Sequence, residues 1–466
     1  MSEINKNISL LRKNNFTGFT ENSNFVEKGF VFLSFEQDKK IASKHASEAK
    51  KNGAKIIISK VSNEKDSKIL NLIDKNLSAN KEIYLKYLFN RNLEDLSIVG
   101  ITGTNGKSST AFFLHQFLLN SGFNPTLLTN IPEIPIKNCE VSPLTTPGNF
   151  LLHHYLKKSI DLKRDFFVME VSSHSINQER IKGLNFKSKS LTSFSKDHLD
   201  YHKSIDNYRN TKESFFAKGD ENIVISIDND LGKKIAKKNN SALKVSLNNK
   251  KADIYLNKGS IHTPWGNIKF RLSIDSDFML SNLLCALGIY GKINNNLEIN
   301  LTDNKIFTLP GRLELIKVFE DKYCFIDYAH TPEALGSILR YLKSKYSGQV
   351  VCLFGCGGDR DISKRNEMGI ISETNSDLQI ITNDNPRNED PLNIARSITK
   401  KMHTKNYEII LDRKEAITSG LIKLKDSPKN SVLLIAGKGH ENSLILKNQK
   451  IPFNDSAIVN ELKDVI

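Results

Sequence analysis

The sequence predicts an α/β protein in three domains, with mostly parallel sheets in the second and third. Three observations carry that expectation. A chain of 466 residues exceeds what one core accommodates and divides into about three domains of the usual ~100 to 200 residues. A short apolar run, Ile98-Val99, feeds the glycine-rich turn Gly100-Ile101-Thr102-Gly103-Thr104-Asn105-Gly106 and then Lys107-Ser108-Ser109-Thr110, after which Ala111 to Asn120 reads as a helix stopped by Gly122. Beyond the break Pro310-Gly311, four apolar runs each close on polar groups, the pattern of a doubly wound sheet whose strand ends share one binding edge.

Composition narrows the class. The net charge of +15 is spread over helical faces rich in lysine, asparagine and isoleucine, without a compact basic tract or interleaved aromatics, so no nucleic-acid partner is expected. The N-terminus is polar and lacks the apolar core of a secretory signal, and no membrane span is apparent, which points to a cytoplasmic enzyme. The five cysteines (139, 285, 324, 352 and 356) are odd in number and scattered. Cys352 and Cys356, inside an apolar run, read as buried free thiols rather than a metal site.

The first domain, 1–94, alternates a strand at Phe30 to Phe35, a helix at Ile41 to Asn52 and a strand at Ala54 to Ser59, a small α/β unit. The second, 95–309, opens with the glycine-rich turn. A strand running through such a turn into a helix N-terminus aims N–H groups and a positive dipole end at one spot, which suits polyphosphate. Lys107 would reach the terminal phosphates and Ser108 would ligate Mg2+. This is a P-loop ATPase-like domain, although the generic spacing wants a glycine where Ile101 stands.

Leu144-Thr145-Thr146-Pro147 precedes a helix, and by spacing its hydroxyls read as an N-cap before they read as ligands. Phe166 to Met169 forms a buried strand ending in Glu170-Val171-Ser172-Ser173-His174, and Ser190 to Ser195 a second one delivering Asp197-His198-Leu199-Asp200-Tyr201-His202. Oxygen from Glu170 and an imidazole from His198 would hold divalent ions beside phosphates at Lys107. Lys212, in the helical stretch Tyr208 to Phe216, reads on its own as a surface lysine.

The third domain, 310–466, has a Rossmann-like pattern. Its strands end in Asp327-Tyr328-Ala329-His330, in Gly355-Cys356-Gly357-Gly358-Asp359-Arg360-Asp361, in Asn383-Asp384-Asn385-Pro386-Arg387 and in Gly437-Lys438-Gly439-His440-Glu441.

Gly-Thr-Asn-Gly-Lys-Ser at 103–108, Thr-Thr-Pro, Glu-Val-Ser-Ser-His, Asp-His-Leu-Asp-Tyr-His and the four C-terminal endings occur in the order and spacing of the Mur ligases, and the chain resembles that family over roughly residues 96–455. The resemblance implies an ATP-dependent amide ligase that adds meso-diaminopimelate to UDP-MurNAc-L-Ala-D-Glu through an acyl phosphate, acting as a monomer on peptidoglycan precursors. It implies ATP contacts at Gly103, Thr104, Asn105, Gly106, Lys107, Ser108, Ser109, Asn282, Arg312 and Asp327, with Mg2+ at Ser108, Glu170, His198 and Lys212. Lys212 aligns with the family's carbamylated lysine, and Lys107, Lys212 and His198 form the catalytic set. UDP-substrate contacts fall on Ser23, Thr145, Thr146, Ser172, Gln178 and Arg180. Amino-acid contacts fall on Arg365, Asp384, Asn385, Pro386, Arg387, Gly437 and Glu441. The chain departs from the family pattern at Asn22, Asn24, Lys28 and Met279. Two other readings are a folylpolyglutamate synthase, which shares the loop and the chemistry, and a basic nucleotide- or nucleic-acid-binding module.

Overall fold

A computed structural model describes residues 3–61, 69–89, 93–132, 134, 137–217, 220–257, 260–269, 275–295, 309–447 and 449–466. The backbone gathers into two compact units, one of residues 1–100, 122–130 and 137–188, the other of 101–121, 131–136 and 189–466.

The first unit contains a four-stranded parallel sheet in the order Phe19–Thr20, Val31–Ser34, Ile56–Ser59, Leu70–Ile73. Its middle strands are buried on both faces, which is why they read as unbroken apolar runs. The helix Lys39–Lys51 starts where the Asp38 carboxylate accepts from the N–H groups of Lys40 and Ile41. Its buried alanines 42, 46 and 49 form the narrow stripe that lets it lie close to the sheet. A second parallel set, Cys139–Val141, Pro125–Thr129 and Phe166–Glu170, packs with the helix Asn149–Asp161.

That helix is not capped by the threonines before it, as the spacing suggested. Its N-cap is Gly148, which has no side chain to offer. The Thr146 hydroxyl instead donates to the Glu170 carbonyl (2.8 Å). The cap comes from far away in the chain: the Glu21 carboxylate accepts from the N–H groups of Phe150 (3.2 Å) and Leu151 (3.1 Å). Burial raises the Glu21 carboxyl above its ordinary value, against the lowering by those N–H groups.

In the second unit, 189–191, the end of the strand Phe186–Leu191, pairs in parallel with Ile223–Ser226, the parallel set continues through Leu243–Ser246 and Ile254–Asn257, and the antiparallel Ser260–Thr263 and Gly266–Lys269 follow. The strand expected at Ser190 to Ser195 thus ends earlier, at Leu191, and 192–197 is left as an irregular segment. The apolar helix Asp277–Asn294 packs on the helix Lys107–Asn120, which begins four residues before the apolar pattern does because the lysine and hydroxyls form its first turn.

The C-terminal six-stranded sheet runs Glu314–Phe319, Lys322–Asp327, Val432–Ala436, Val350–Phe354, Leu378–Ile381, Tyr407–Ile409. All pairs are parallel except the first, an antiparallel edge. Helices cover both faces and bury one apolar layer on each. Thr331, Asp390, Asp412 and Asn454 cap four of them with side-chain oxygens. Cys352 and Cys356 are free and buried as expected, Cys285 and Cys324 are buried too, and burial pushes the Cys356 thiol up to about 12.

His154, on the helix Asn149–Asp161, has its ring 5.8 Å from that of Phe19 and 4.9 Å from that of Phe30. Burial first, then the charges of Lys158 and Lys157, lower its pKa from 6.5 to about 4. A histidine whose folded pKa is depressed contributes stability that is present above its unfolded pKa and is lost as pH falls through the folded value. Wild type is therefore expected to lose about 1 to 3 kcal/mol more than His154→Phe between roughly pH 7 and pH 4. Parallel denaturant melts of the two proteins across that range measure it, and identical pH profiles would refute the assignment.

Candidate active site

At the glycine-rich turn, Lys107 folds back over the loop it follows, donating to the carbonyls of Gly103 (3.0 Å) and Thr104 (2.8 Å). The irregular segment after Leu191 holds the loop from the side. The Asn105 carbonyl accepts from the hydroxyls of Thr192 (2.6 Å) and Ser193 (3.0 Å), and the Thr104 N–H donates to the Ser193 carbonyl (3.0 Å). The Thr104 hydroxyl lies 3.1 Å from the Tyr208 hydroxyl. Gly106 has φ +85°, and a side chain there would strike Asn282 Oδ1 at 2.1 Å. Only glycine serves at that point. Asn282 is therefore pressed against the loop, and Thr110 ties the two helices by donating to the Asn282 carbonyl (3.3 Å). Ser108 and Ser109 are buried in the first turn, and the Ser108 hydroxyl accepts from Arg312 Nη2 (3.2 Å).

Lys212 is not a surface lysine. It is fully buried, and its Nζ donates to the Gly103 carbonyl (2.9 Å) and lies 4.9 Å from the centre of the Tyr208 ring. Burial drives its pKa well below the ordinary lysine value, and the nearby charge of Lys107 pushes the same way, with Asp197 opposing.

Asp197, adjacent to His198, is the hub of the ion pairs here. Its Oδ2 is 3.5 Å from His198 Nε2 and 3.8 Å from His330 Nε2, and its Oδ1 is 3.7 Å from Lys364 Nζ. Burial alone would raise its pKa; the His330 hydrogen bond and the cationic neighbours reverse this and hold the carboxyl well below the usual range. His198 has φ +54°, a strained backbone for a residue with a side chain. Asp327 is buried and accepts from the Leu313 N–H (2.7 Å), while the Arg312 guanidinium lies 4.5 Å from the Tyr328 ring centre. Two buried nitrogens here, Arg312 Nε and His440 Nδ1, have no protein partner among the described residues. Burial, then the charges of Arg312, His330 and Lys438, lower the His440 pKa to about 3.

The ends of the C-terminal strands form a second polar cluster. Arg365 is buried and meets Glu389 bidentately (2.9 and 2.8 Å), with a third contact to the Gly357 carbonyl (3.2 Å). Glu389 is thereby spoken for. Arg387 donates to the carbonyls of Gly358 (2.7 Å) and Asn385 (3.3 Å) and makes no ion pair among the described residues. Its φ is +52°, and Pro386 before it is buried. Asn385 donates to Glu441 Oε2 (2.8 Å) and accepts from the fully buried Lys438 Nζ (3.2 Å), which also donates to Glu441 (2.9 Å). Asp384 faces Gly437 so closely that a side chain at 437 would lie 2.6 Å from its Oδ2.

In the first unit, Thr146 also accepts from the Ser172 N–H (3.0 Å), and Ser172 caps the helix Ser173–Asn177. Arg180 donates to the Thr146 carbonyl (2.7 Å) and to Gln178 Oε1 (2.9 and 2.5 Å), so Thr146, Ser172, Gln178 and Arg180 form one linked group beside Thr145 and the strand-terminal Glu170. Ser23 donates to Glu48 (2.9 Å), and Asn22 caps the short turn that holds it.

Residues 101–290 match the Mur ligase middle domain and residues 311–439 the Mur ligase glutamate ligase domain. The chain belongs to the Mur ligase family. It is 34% identical to the UDP-N-acetylmuramoyl-L-alanyl-D-glutamate–2,6-diaminopimelate ligase of Clostridium botulinum, covering 94% of this chain and 93% of that protein. It is 38% identical to the ligase of the same name from Prochlorococcus marinus over 78% of this chain and 76% of that one. Among solved structures, a diaminopimelate ligase of that name matches at 26% identity and TM-score 0.58, covering 97% and 96% of the two chains. A MurF from Acinetobacter baumannii, at 16% identity and TM-score 0.67 with 96% and 93% covered, shares the fold.

For this Mur ligase family member, several groups of the site lay outside the residues singled out in the sequence. Lys438 and Glu389 sit inside or beside quoted motifs, but only the structure reveals their burial and pairing. Asp197 was visible as the first residue of Asp-His-Leu-Asp-Tyr-His, yet its partners His330 and Lys364 are remote in sequence. Asp197→Asn is expected to lower stability by roughly 1 to 2 kcal/mol, because a buried carboxylate that pairs with the partly exposed His198, His330 and Lys364 loses its charge. Urea unfolding monitored by fluorescence tests this, and a loss below about 0.5 kcal/mol would mean the pairs are worth no more than surface ones.

Proposed function

We propose that this chain joins meso-2,6-diaminopimelate to UDP-MurNAc-L-Ala-D-Glu with ATP hydrolysed to ADP and phosphate, in peptidoglycan precursor synthesis. The observation that carries the amino-acid choice is Arg387: the nearby carboxylate of Glu389 is taken by Arg365, and among the described residues the Arg387 guanidinium is held by two carbonyls and no anion. Meso-diaminopimelate carries a distal carboxylate that lysine lacks, and the planar fork of an arginine takes a carboxylate bidentately. The names of the diaminopimelate ligases reported above support the same reading.

In the reaction, a γ-carboxylate oxygen of the D-glutamyl residue attacks the ATP γ-phosphorus, the bond to the ADP oxygen breaks, and an acyl phosphate forms. The amine nitrogen of the amino acid then attacks the acyl carbon, phosphate leaves, and the amine gives up a proton. Lys107 offsets charge on the transferred phosphoryl group, and the loop N–H groups orient it. The unpartnered Arg312 Nε and His440 Nδ1 are donors or acceptors available to the nucleotide. The donor chemistry fits Mg2+, which takes one or two protein groups plus phosphates: the Ser108 hydroxyl lies in the first turn of the helix after the loop and offers the hard oxygen such a set uses. Ser108 and His198 are the second unit's candidates, and Glu170 the first unit's. When bound, Mg2+ supplies further neutralisation of phosphate charge.

The functional domains are taken as 1–94, 95–309 and 310–466, and the enzyme as a cytoplasmic monomer without a nucleic-acid partner. Among the described residues no helix is long and apolar enough to cross a membrane.

Phosphate release with UDP-MurNAc-L-Ala-D-Glu, ATP and a panel of amino acids tests the reaction. Diaminopimelate is expected to exceed lysine in kcat/KM by roughly 10^4, as for sites left with an unpaired polar group by the wrong substrate. Arg387→Ala is expected to collapse that preference; equal use of lysine by wild type, or an unchanged preference in the variant, would overturn the assignment.

We further propose that Lys212 is carbamylated. A neutral amine adds carbon dioxide, and a lysine whose pKa burial and Lys107 hold far below its usual value supplies that amine. Incubation with 13C-bicarbonate is expected to give a carbamate carbon resonance that Lys212→Ala lacks, and a short carboxylic acid is expected to restore part of the variant's activity. A spectrum identical in both proteins would refute the modification.

A further inference from the structure

Two of the strand ends that carry the amino-acid cluster are held by a buried charge pair that none of the preceding assignments uses. Leu378–Ile381 and Val432–Ala436 are not neighbours in the sheet, since Val350–Phe354 lies between them. Yet the segments they lead into meet. Asn385 donates to Glu441, and Asp384 abuts Gly437. The strand between them has ended at Phe354, and the backbones join only farther on, where the Arg387 N–H donates to the Ile445 carbonyl (3.1 Å) and the Lys447 N–H to the Arg387 carbonyl (2.7 Å); among the described residues no backbone hydrogen bond joins 383–385 to 437–441.

Arg413 spans that gap. Its Nη1 donates to the Asn383 carbonyl (2.9 Å) and its Nη2 to the Ala436 carbonyl (3.1 Å), the residues immediately before Asp384 and Gly437. The remaining edge of the guanidinium meets Asp455 bidentately, Nε to Oδ1 and Nη2 to Oδ2, both at 2.8 Å. Both side chains are 0% exposed. Arg413 opens one helix and Asp455 another, so the pair is fixed from two sides. Stability alone does not explain it, because a buried ion pair is often matched or bettered by apolar side chains of the same volume. What apolar side chains lack is a planar fork with donors for two carbonyls at once.

We propose that Arg413 and Asp455 are positioning residues that set the separation of the 383–385 and 437–441 segments, and through it the affinity for the incoming amino acid. This rests on the reading of that cluster as the amino-acid site. Neither residue touches substrate. Arg413 acts through the backbone of Asn383 and Ala436, and Asp455 by holding the guanidinium in the orientation that reaches both.

Two variants of the full chain test this. Arg413→Lys keeps a charge opposite Asp455 but has one nitrogen in place of the fork. Arg413→Met combined with Asp455→Leu removes both charges while filling the space. In each variant that melts cooperatively near the wild-type temperature, KM for diaminopimelate is expected to rise roughly tenfold or more, while KM for ATP and for the UDP-substrate stays within about twofold. Backbone amide exchange at 383–388 and 437–441 is expected to quicken in both, a readout that needs no turnover. A wild-type KM for diaminopimelate in Arg413→Lys, an equal rise in all three constants, or unchanged exchange would overturn the proposal. If the double variant does not fold, Arg413→Lys decides alone. A wild type that turns over a different amino acid refutes the diaminopimelate reading only, and the same comparison is then made with that amino acid.

Discussion

Two ammonium groups converge on one carbonyl. The Gly103 oxygen accepts from both Lys107 and Lys212, at 3.0 and 2.9 Å, and two positive charges so close cannot both be comfortable without an anion. Burial settles which one yields: Lys212 has no access to water, whereas Lys107 lies at the open end of a helix. The loop that brings them together is itself held in shape by the hydroxyls of Thr192 and Ser193 and by the Ser193 carbonyl. Catalysis by fixed charge works in this way, with the cost of orienting the dipoles met during folding and not during reaction.

The C-terminal edge follows a different economy of charge. Three ion pairs there are closed within the cluster, Lys438 with Glu441, Arg365 with Glu389 and Arg413 with Asp455. Arg387 is presented on a left-handed backbone turn, and among the described residues it makes no ion pair and is steadied by the carbonyls of Gly358 and Asn385.

Much of this was legible in the chain. Val350–Phe354 and Val432–Ala436 coincide with apolar runs of the sequence, because strands buried on both faces leave no polar residue to blur their ends. The strand before Asp197 was misjudged because Thr192 and Ser193 continue its β-compatible pattern while spending their hydroxyls on the phosphate loop. Lys212 read as a surface residue, since nothing local in Arg-Asn-Thr-Lys-Glu tells a buried amine from a solvated one. Its environment is made by residues about a hundred positions away. The spacing of Thr145 and Thr146 predicts a cap that they do not provide, because the true cap, Glu21, comes from another part of the chain altogether. Local chemistry is written locally, and long-range pairing is not.

The Glu21 cap limits how far the first ninety residues can be regarded as a detachable module. Its carboxylate satisfies two otherwise orphaned N–H groups of the helix Asn149–Asp161, while Phe19, two residues earlier, packs edge-on against Phe150 of the same helix. A chimaera that exchanged this segment for a relative's would leave those donors bare and an aromatic ring uncovered unless the recipient helix were exchanged with it. Recombination across this boundary is therefore constrained by two pieces of sequence some 130 residues apart that must be inherited together.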